Sequence, residues 1–143
     1  MSDLYHYKDG PPGNGGQQVS QDDSALTNPI EVVIAAGETS SAVPLWLATL
    51  VSDRYFDSIT ETPVDISGPD ESTYIQLAPS GAGGVEGSYA SPGSGLTLAG
   101  QAGPGSGTYI KHFLKVSIPS GASAEIKVDL RVQVNATERA VTT

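Results

Sequence analysis

Two histidines, sixteen side-chain carboxylates and no cysteine are the groups from which this 143-residue chain could build a reactive or metal-binding site. His6 lies in a glycine- and proline-rich leader, and His112 lies in an alternating apolar run. His112 falls on the apolar side of that run. A lone imidazole there reads as a satisfied core or sheet-edge residue rather than a ligand. No metal site is therefore expected. Asp65, Asp70 and Glu71 gather around a turn and offer the oxygen ligands that calcium takes, but without EF-hand or repeat spacing. Serines are plentiful, yet none stands in a G-x-S-x-G elbow between strand and helix. Ser80-Gly81-Ala82-Gly83-Gly84 and Gly103-Pro104-Gly105-Ser106-Gly107 match phosphate-binding loops in glycine count alone. No Lys-Ser/Thr pair and no helical pattern follows them, so they read as flexible loops. No pair of acids is singled out for glycoside hydrolysis. Asn135-Ala136-Thr137 matches a glycosylation sequon, but MSDLYHYKDG has neither the basic nor the apolar region of a secretory signal, so the chain is expected to fold in the cytoplasm or to be a processed chain whose Met1 is not its own. The expectation is no catalysis, no metal and no cofactor.

The elements that would position any site are strands. From Ala124 to Val134 the chain alternates without error. Ala124, Ile126, Val128, Leu130, Val132 and Val134 face one way, and Glu125, Lys127, Asp129, Arg131 and Gln133 the other. Ile110, Leu114, Val116 and Ile118 alternate in the same way with Lys111, Lys115 and Ser117. Pro119-Ser120-Gly121-Ala122-Ser123 between them is a turn signal, and the simplest reading is a β-hairpin. Pairing Lys115 with Glu125, Lys111 with Asp129 and Tyr109 with Arg131 avoids like charges across the ladder, each pair being worth ~0.2–1 kcal/mol. The alternative is that the two strands belong to different sheets and arch over the core.

Earlier in the chain, 30–35, 42–52, 59–66 and 73–77 read as strands, with weaker signals at 86–89 and 96–99. Pro44 places its strand at an edge, a start or a bulge, and Pro63 breaks the next one. Trp46, the only tryptophan, reads as a core residue or an interface anchor. Residues 79–108 hold ten glycines and read as mobile or partner-ordered loops. No helical pattern exceeds two turns. Short strands with turn signals between them predict an all-β antiparallel sandwich, immunoglobulin-like or jelly-roll, over 30–135. Residues 1–29 form an extended arm in this reading. Residues 136–143, which lack periodicity, form a tail.

Net charge is −9, which argues against a nucleic-acid partner. It divides as −11 over residues 1–108, where Lys8 and Arg54 are the only bases, and +2 over 109–143. An acidic arm or loop could therefore meet a neighbour's basic strand face. Without cysteine there is neither disulfide nor thiolate metal site, and no apolar run approaches a membrane span. Gly10, Pro11, Pro12, Gly13, Gly15 and Gly16 exclude helix and strand interior, so the arm needs another surface to become ordered.

The acidic start, the Gly/Pro-rich arm at 8–16, the Ser/Gly/Ala/Thr-rich body and the ending LKVSIPSGASAEIKVDLRVQVNAT together resemble small accessory proteins of tailed-phage virions. Head decoration or cement proteins are the nearest in kind. The resemblance implies a trimer on a virion surface, bound to the major capsid protein or another lattice protein, with an arm reaching a neighbour. Expected assembly contacts are Tyr5, His6 and Tyr7 as an aromatic anchor, with Trp46, Lys111, Phe113, Lys115 and Arg131 on the body. Phe113 projects from the charged side of its strand and is expected to meet another subunit. With Tyr55, Phe56, Tyr74 and Tyr89 it could instead form a sugar-stacking platform. A glycan-binding module and a subunit of a tail or fibre are the competing readings.

Overall fold

A computed structural model of the chain describes residues 4–19, 30–34, 37–64, 72–119 and 125–141. It is an all-β antiparallel sandwich, and no α-helix occurs among the described residues. One sheet has five strands in the order β2-β1-β4-β8-β6. These are β1 (Tyr5–Lys8), β2 (Gln17–Gln18), β4 (Val43–Ala48), β6 (Ile75–Pro79) and β8 (Ile110–Val116). The other has four in the order β3-β9-β5-β7. These are β3 (Ile30–Ile34), β5 (Arg54–Val64), β7 (Leu96–Leu98) and β9 (Glu125–Ala140).

The period-2 alternation sets the inward faces. On β8, His112, Leu114 and Val116 are buried. On β9, Val132 is buried and Val134 and Ala136 pack against the core, while Gln133, Asn135 and Thr137 are exposed. Two apolar clusters fill the space between the sheets. Leu45, Ile75, Leu77, Leu114, Val116, Ile118 and Val132 form one; Leu47, Phe56, Ile59, Leu98 and Ala102 form the other.

The expected hairpin does not form. β8 pairs with β4 and β6, and β9 pairs with β3 and β5, so the two strands arch across the sandwich. Lys115 stands opposite Gln76, Lys111 opposite Trp46, and Arg131 opposite Val64. Cross-strand charge pairs of under ~1 kcal/mol each are outweighed by giving both long strands two neighbours and a buried face. The tail is corrected as well. Residues 136–140 continue β9 along Arg54–Asp57. Arg139 Nε donates to both carboxylate oxygens of Asp57 at 2.7 and 2.8 Å, and Arg54 pairs with Glu138 at 3.0 Å.

The glycine-rich stretch after β6 is bound by its own chain. Gly87, Ala90 and Gly93 donate backbone hydrogen bonds to Pro79, Leu77 and Ile75, covering the β6 edge. Such a covered edge offers no template to another strand. Pro44 and Pro63 lie past the ends of the short strands β1 and β7, where neither has a second strand neighbour among the described residues.

β5 carries the irregularity that matters most. Asp57 pairs with Thr137 and Thr60 with Asn135, so two residues oppose one, and Ser58 has φ 52°. This bulge reverses the alternation. Phe56 faces inward before it, and Ile59, Glu61 and Pro63 face inward after it. A left-handed φ suits glycine and resists β-branched side chains. Ser58→Gly is expected to retain or raise stability, and Ser58→Val to lower it by about 1–3 kcal/mol. Urea unfolding of the two variants checks the bulge, because an unbulged strand would favour valine over glycine.

Candidate functional site

Three strands deliver one buried polar cluster. β1 and the residue before it turn Leu4 and His6 toward the other sheet, with Tyr5 and Tyr7 on the opposite face, where Tyr7 is itself buried. His6 lies opposite Leu47 on β4, and Leu45, two residues earlier, lies opposite His112 on β8. The two imidazoles are thus diagonal neighbours across β4, with ring centroids 5.3 Å apart and planes inclined at 54°. From the other sheet β5 presents Glu61, flanked laterally by Leu96 and Val134.

Each carboxylate oxygen meets one ring. Oε2 of Glu61 is 2.5 Å from Nε2 of His6, and Oε1 is 2.6 Å from Nε2 of His112. Glu61 and His112 have no solvent exposure, whereas the His6 side chain retains 11 %. The His6 contact has hydrogen-bond geometry. At His112 the approach is as close, but among the described residues Nε2 and Oε1 have no partner in hydrogen-bond direction. The other ring nitrogen of His112, Nδ1, lies 3.3 Å from the Ile110 carbonyl oxygen.

Burial alone would push the Glu61 carboxyl up. The two imidazoles outweigh it and hold Glu61 far below the usual carboxylate range. Burial likewise works against a charged His112, but the Glu61 carboxylate raises its pKa above the ordinary value. Chemically the cluster is a carboxylate bridging two imidazoles. It can act as a charged clasp between sheets. It can also offer one ligand atom from each residue to a metal, all within 4.8 Å of one another.

The residues expected from sequence fall into separate places. His6 turns into the core and meets His112, so His112 is not the lone imidazole the sequence suggests. Tyr7, Trp46 and Lys111 form a row on the outer face of the five-stranded sheet. Trp46 is half-buried there rather than in the core, with Lys111 Nζ 5.3 Å from its ring centroid. Phe113 shares that face but is 7 % exposed, which removes it as a free oligomer contact. Lys115 Nζ sits 4.0 Å from the Tyr89 ring, and Tyr89 in turn donates to Glu86. Tyr5 is half-buried on β1, and Arg131 belongs to the opposite sheet. Phe56 is fully buried and joins no sugar platform. Asp65, Asp70 and Glu71 lie outside the described residues.

Glu61 does not stand out in the sequence. The faces of ITETPVDI are ambiguous, since Val64 and Ile66 make the opposite face the more apolar one. The one signal is the Phe56–Ile59 spacing across Asp57-Ser58, which implies a bulge.

Comparison with protein-family models, curated proteins and solved structures yields no match to this chain.

Removing one member of a buried ion pair costs about 3–5 kcal/mol. Glu61→Gln is expected to destabilise metal-free protein on that scale. His112 has a raised folded pKa, so its contribution is full below its unfolded value of ~6.5 and is lost as pH rises through the folded value. Glu61 has a lowered folded pKa, so its contribution is lost only toward strong acid. The gap between wild type and Glu61→Gln should be widest near pH 5–6 and narrow above the raised pKa of His112. Denaturant titrations across pH check this; a gap that grows with pH contradicts it.

Proposed function

We propose that this chain is a structural, non-enzymatic assembly module that binds a protein lattice, in the manner of the virion decoration proteins its sequence resembles. Its docked N-terminal segment is the exchangeable element. The observation that carries this reading is the way residues 4–19 join the body. Leu4, Tyr7 and Val19 are 2–5 % exposed, β1 pairs with the β4 edge at three positions, and the Val19 amide donates to the His6 carbonyl. The strand pairing is made with an edge. A neighbouring copy, or a lattice protein with a matching edge strand, could make it equally well. Repeated on a lattice, weak contacts of this kind gain avidity.

On this reading the partner is the major capsid protein or a related lattice protein, and the chain itself is a homo-oligomer, trimeric by resemblance. Basic residues concentrated in 109–143 and acidic ones before them supply complementary surfaces between copies.

The test removes residues 1–19 and adds them back as a peptide. The truncated body is expected to lose self-association and binding to capsid lattices. Peptide 1–19 should raise its melting temperature by refilling the β4 edge. Native mass spectrometry and thermal scans read both. A truncated chain that assembles as tightly as the full one overturns the proposal.

A further inference from the structure

We propose that His6, Glu61 and His112 bind one divalent transition-metal ion of the zinc class, pinning the N-terminal strand to both sheets at once. Two imidazoles and a carboxylate are a donor set that zinc accepts, and the set is poorly matched to calcium or magnesium, which prefer all-oxygen shells. The three ligand atoms lie within 4.8 Å of one another, and Glu61 and His112 have no exposed side-chain surface.

The second, independent observation concerns direction. Nε2 of His112 and Oε1 of Glu61 are 2.6 Å apart and buried, yet their approach lies off the direction a hydrogen bond takes, and no other described residue partners either atom. Buried polar atoms without partners are rare and call for a cause. A proton on Nε2 does not point at Oε1, so a simple imidazolium leaves this contact unexplained. The far side of the ring supplies the rest. Nδ1 lies 3.3 Å from the Ile110 carbonyl, and a hydrogen placed there leaves an Nε2 lone pair along that same direction, off the line to Oε1, where an ion beside the two atoms would meet it. A cation beside the N···O line would accept a lone pair from each atom in this apolar core. Fixing the second ring nitrogen on a carbonyl is also how proteins orient ligating histidines.

Zinc bonds of ~2.0–2.2 Å in tetrahedral directions require Glu61 to part from each imidazole by less than about 1 Å. His6 can supply that movement. It is on a four-residue strand near the sheet edge, and its 11 % exposure gives an ion an entry path and a water the fourth position. Zinc would displace protons from the site, with both imidazoles neutral and Glu61 ionised. The net charge of −9 favours the approach of cations generally, so binding has to be separated from adsorption at the surface.

The experiment uses the full chain, stripped with a chelator and dialysed. Zinc chloride titrated by calorimetry is expected to bind at one equivalent and to raise the melting temperature, whereas magnesium and calcium chloride do neither. Cobalt(II) in place of zinc should give the visible absorption of a low-symmetry, nitrogen-containing site. His6→Ala, the variant least able to disturb folding, should weaken zinc binding at least as much as the ~10–100-fold that loss of an outer-shell partner costs. His112→Ala and Glu61→Gln should abolish the cobalt spectrum. No zinc binding to the stripped protein overturns the proposal and leaves a proton as the occupant. Stoichiometric binding unchanged by His6→Ala assigns the metal to the acidic surface and overturns it equally.

Discussion

A carboxylate at the seam of two apolar clusters is the constraint around which this sandwich is arranged. His112 sits between Ile110, which packs on one cluster, and Leu114, which belongs to the other; Glu61 faces it from the opposite sheet. An isolated charge in such a place costs several kcal/mol after relaxation. It persists only where opposite charge or polarity is delivered to both of its oxygens. One oxygen is served by β8, a central strand. The other is served by His6, which belongs to the N-terminal segment. The body therefore does not complete its own core. It needs a strand whose residues 10–16 are a turn of glycine, proline and asparagine with little cohesion of their own.

That dependence explains why a short, Gly/Pro-linked segment can be ordered at all. A four-residue strand and a two-residue strand form no stable unit in isolation. What holds them is tertiary: Leu4 and Val19 each enter one of the two clusters, and His6 closes the carboxylate. The bulge at Ser58 is the matching device on the other sheet. Shifting the alternation by one residue moves a whole face between core and solvent. Here it lets Phe56 and Glu61, on opposite parities of one strand, both face inward.

The sequence makes some of this legible and hides the rest for physical reasons. The alternation around Val132 and Val134 predicts their inward faces, because a half-buried strand must repeat every second residue. The all-β class follows from the same periodicity. The partners of those strands are not readable. Register and sheet membership depend on which edges remain open after all the other strands are placed, and the adjacency of β8 and β9 in sequence favours a hairpin that the sandwich does not use. Residues 136–140 carry no strand pattern because Thr137, Glu138 and Arg139 form a strand end with no buried face. The site is hidden for a different reason. His6, Glu61 and His112 are far apart in the chain and come from two sheets, so no local spacing links them. Beside the Phe56–Ile59 spacing, the one hint is His112 on the inward parity of its strand, while the glycines and prolines around His6 hide the strand that carries it.

Order in the leader also bears on how it could serve an assembly. The glycine and proline content leads to the expectation that this order needs a second molecule; residues 4–19 instead dock on their own body. Docking in trans, as proposed above, would use the same edge and the same clasp, and the choice would be set by geometry and concentration. The geometry has a bound. Ten residues, 20–29, connect Val19 to the start of β3, and a chain of that length spans at most ~33–36 Å. A neighbour can receive the segment only if its own β4 edge comes within that reach of the donor's β3. Copies held closer than this on a lattice can exchange strands at little cost, since each segment leaves one β4 edge and one Glu61 carboxylate for an identical edge and carboxylate next door. Copies held farther apart must keep the segment home, and the clasp then works as an internal lock.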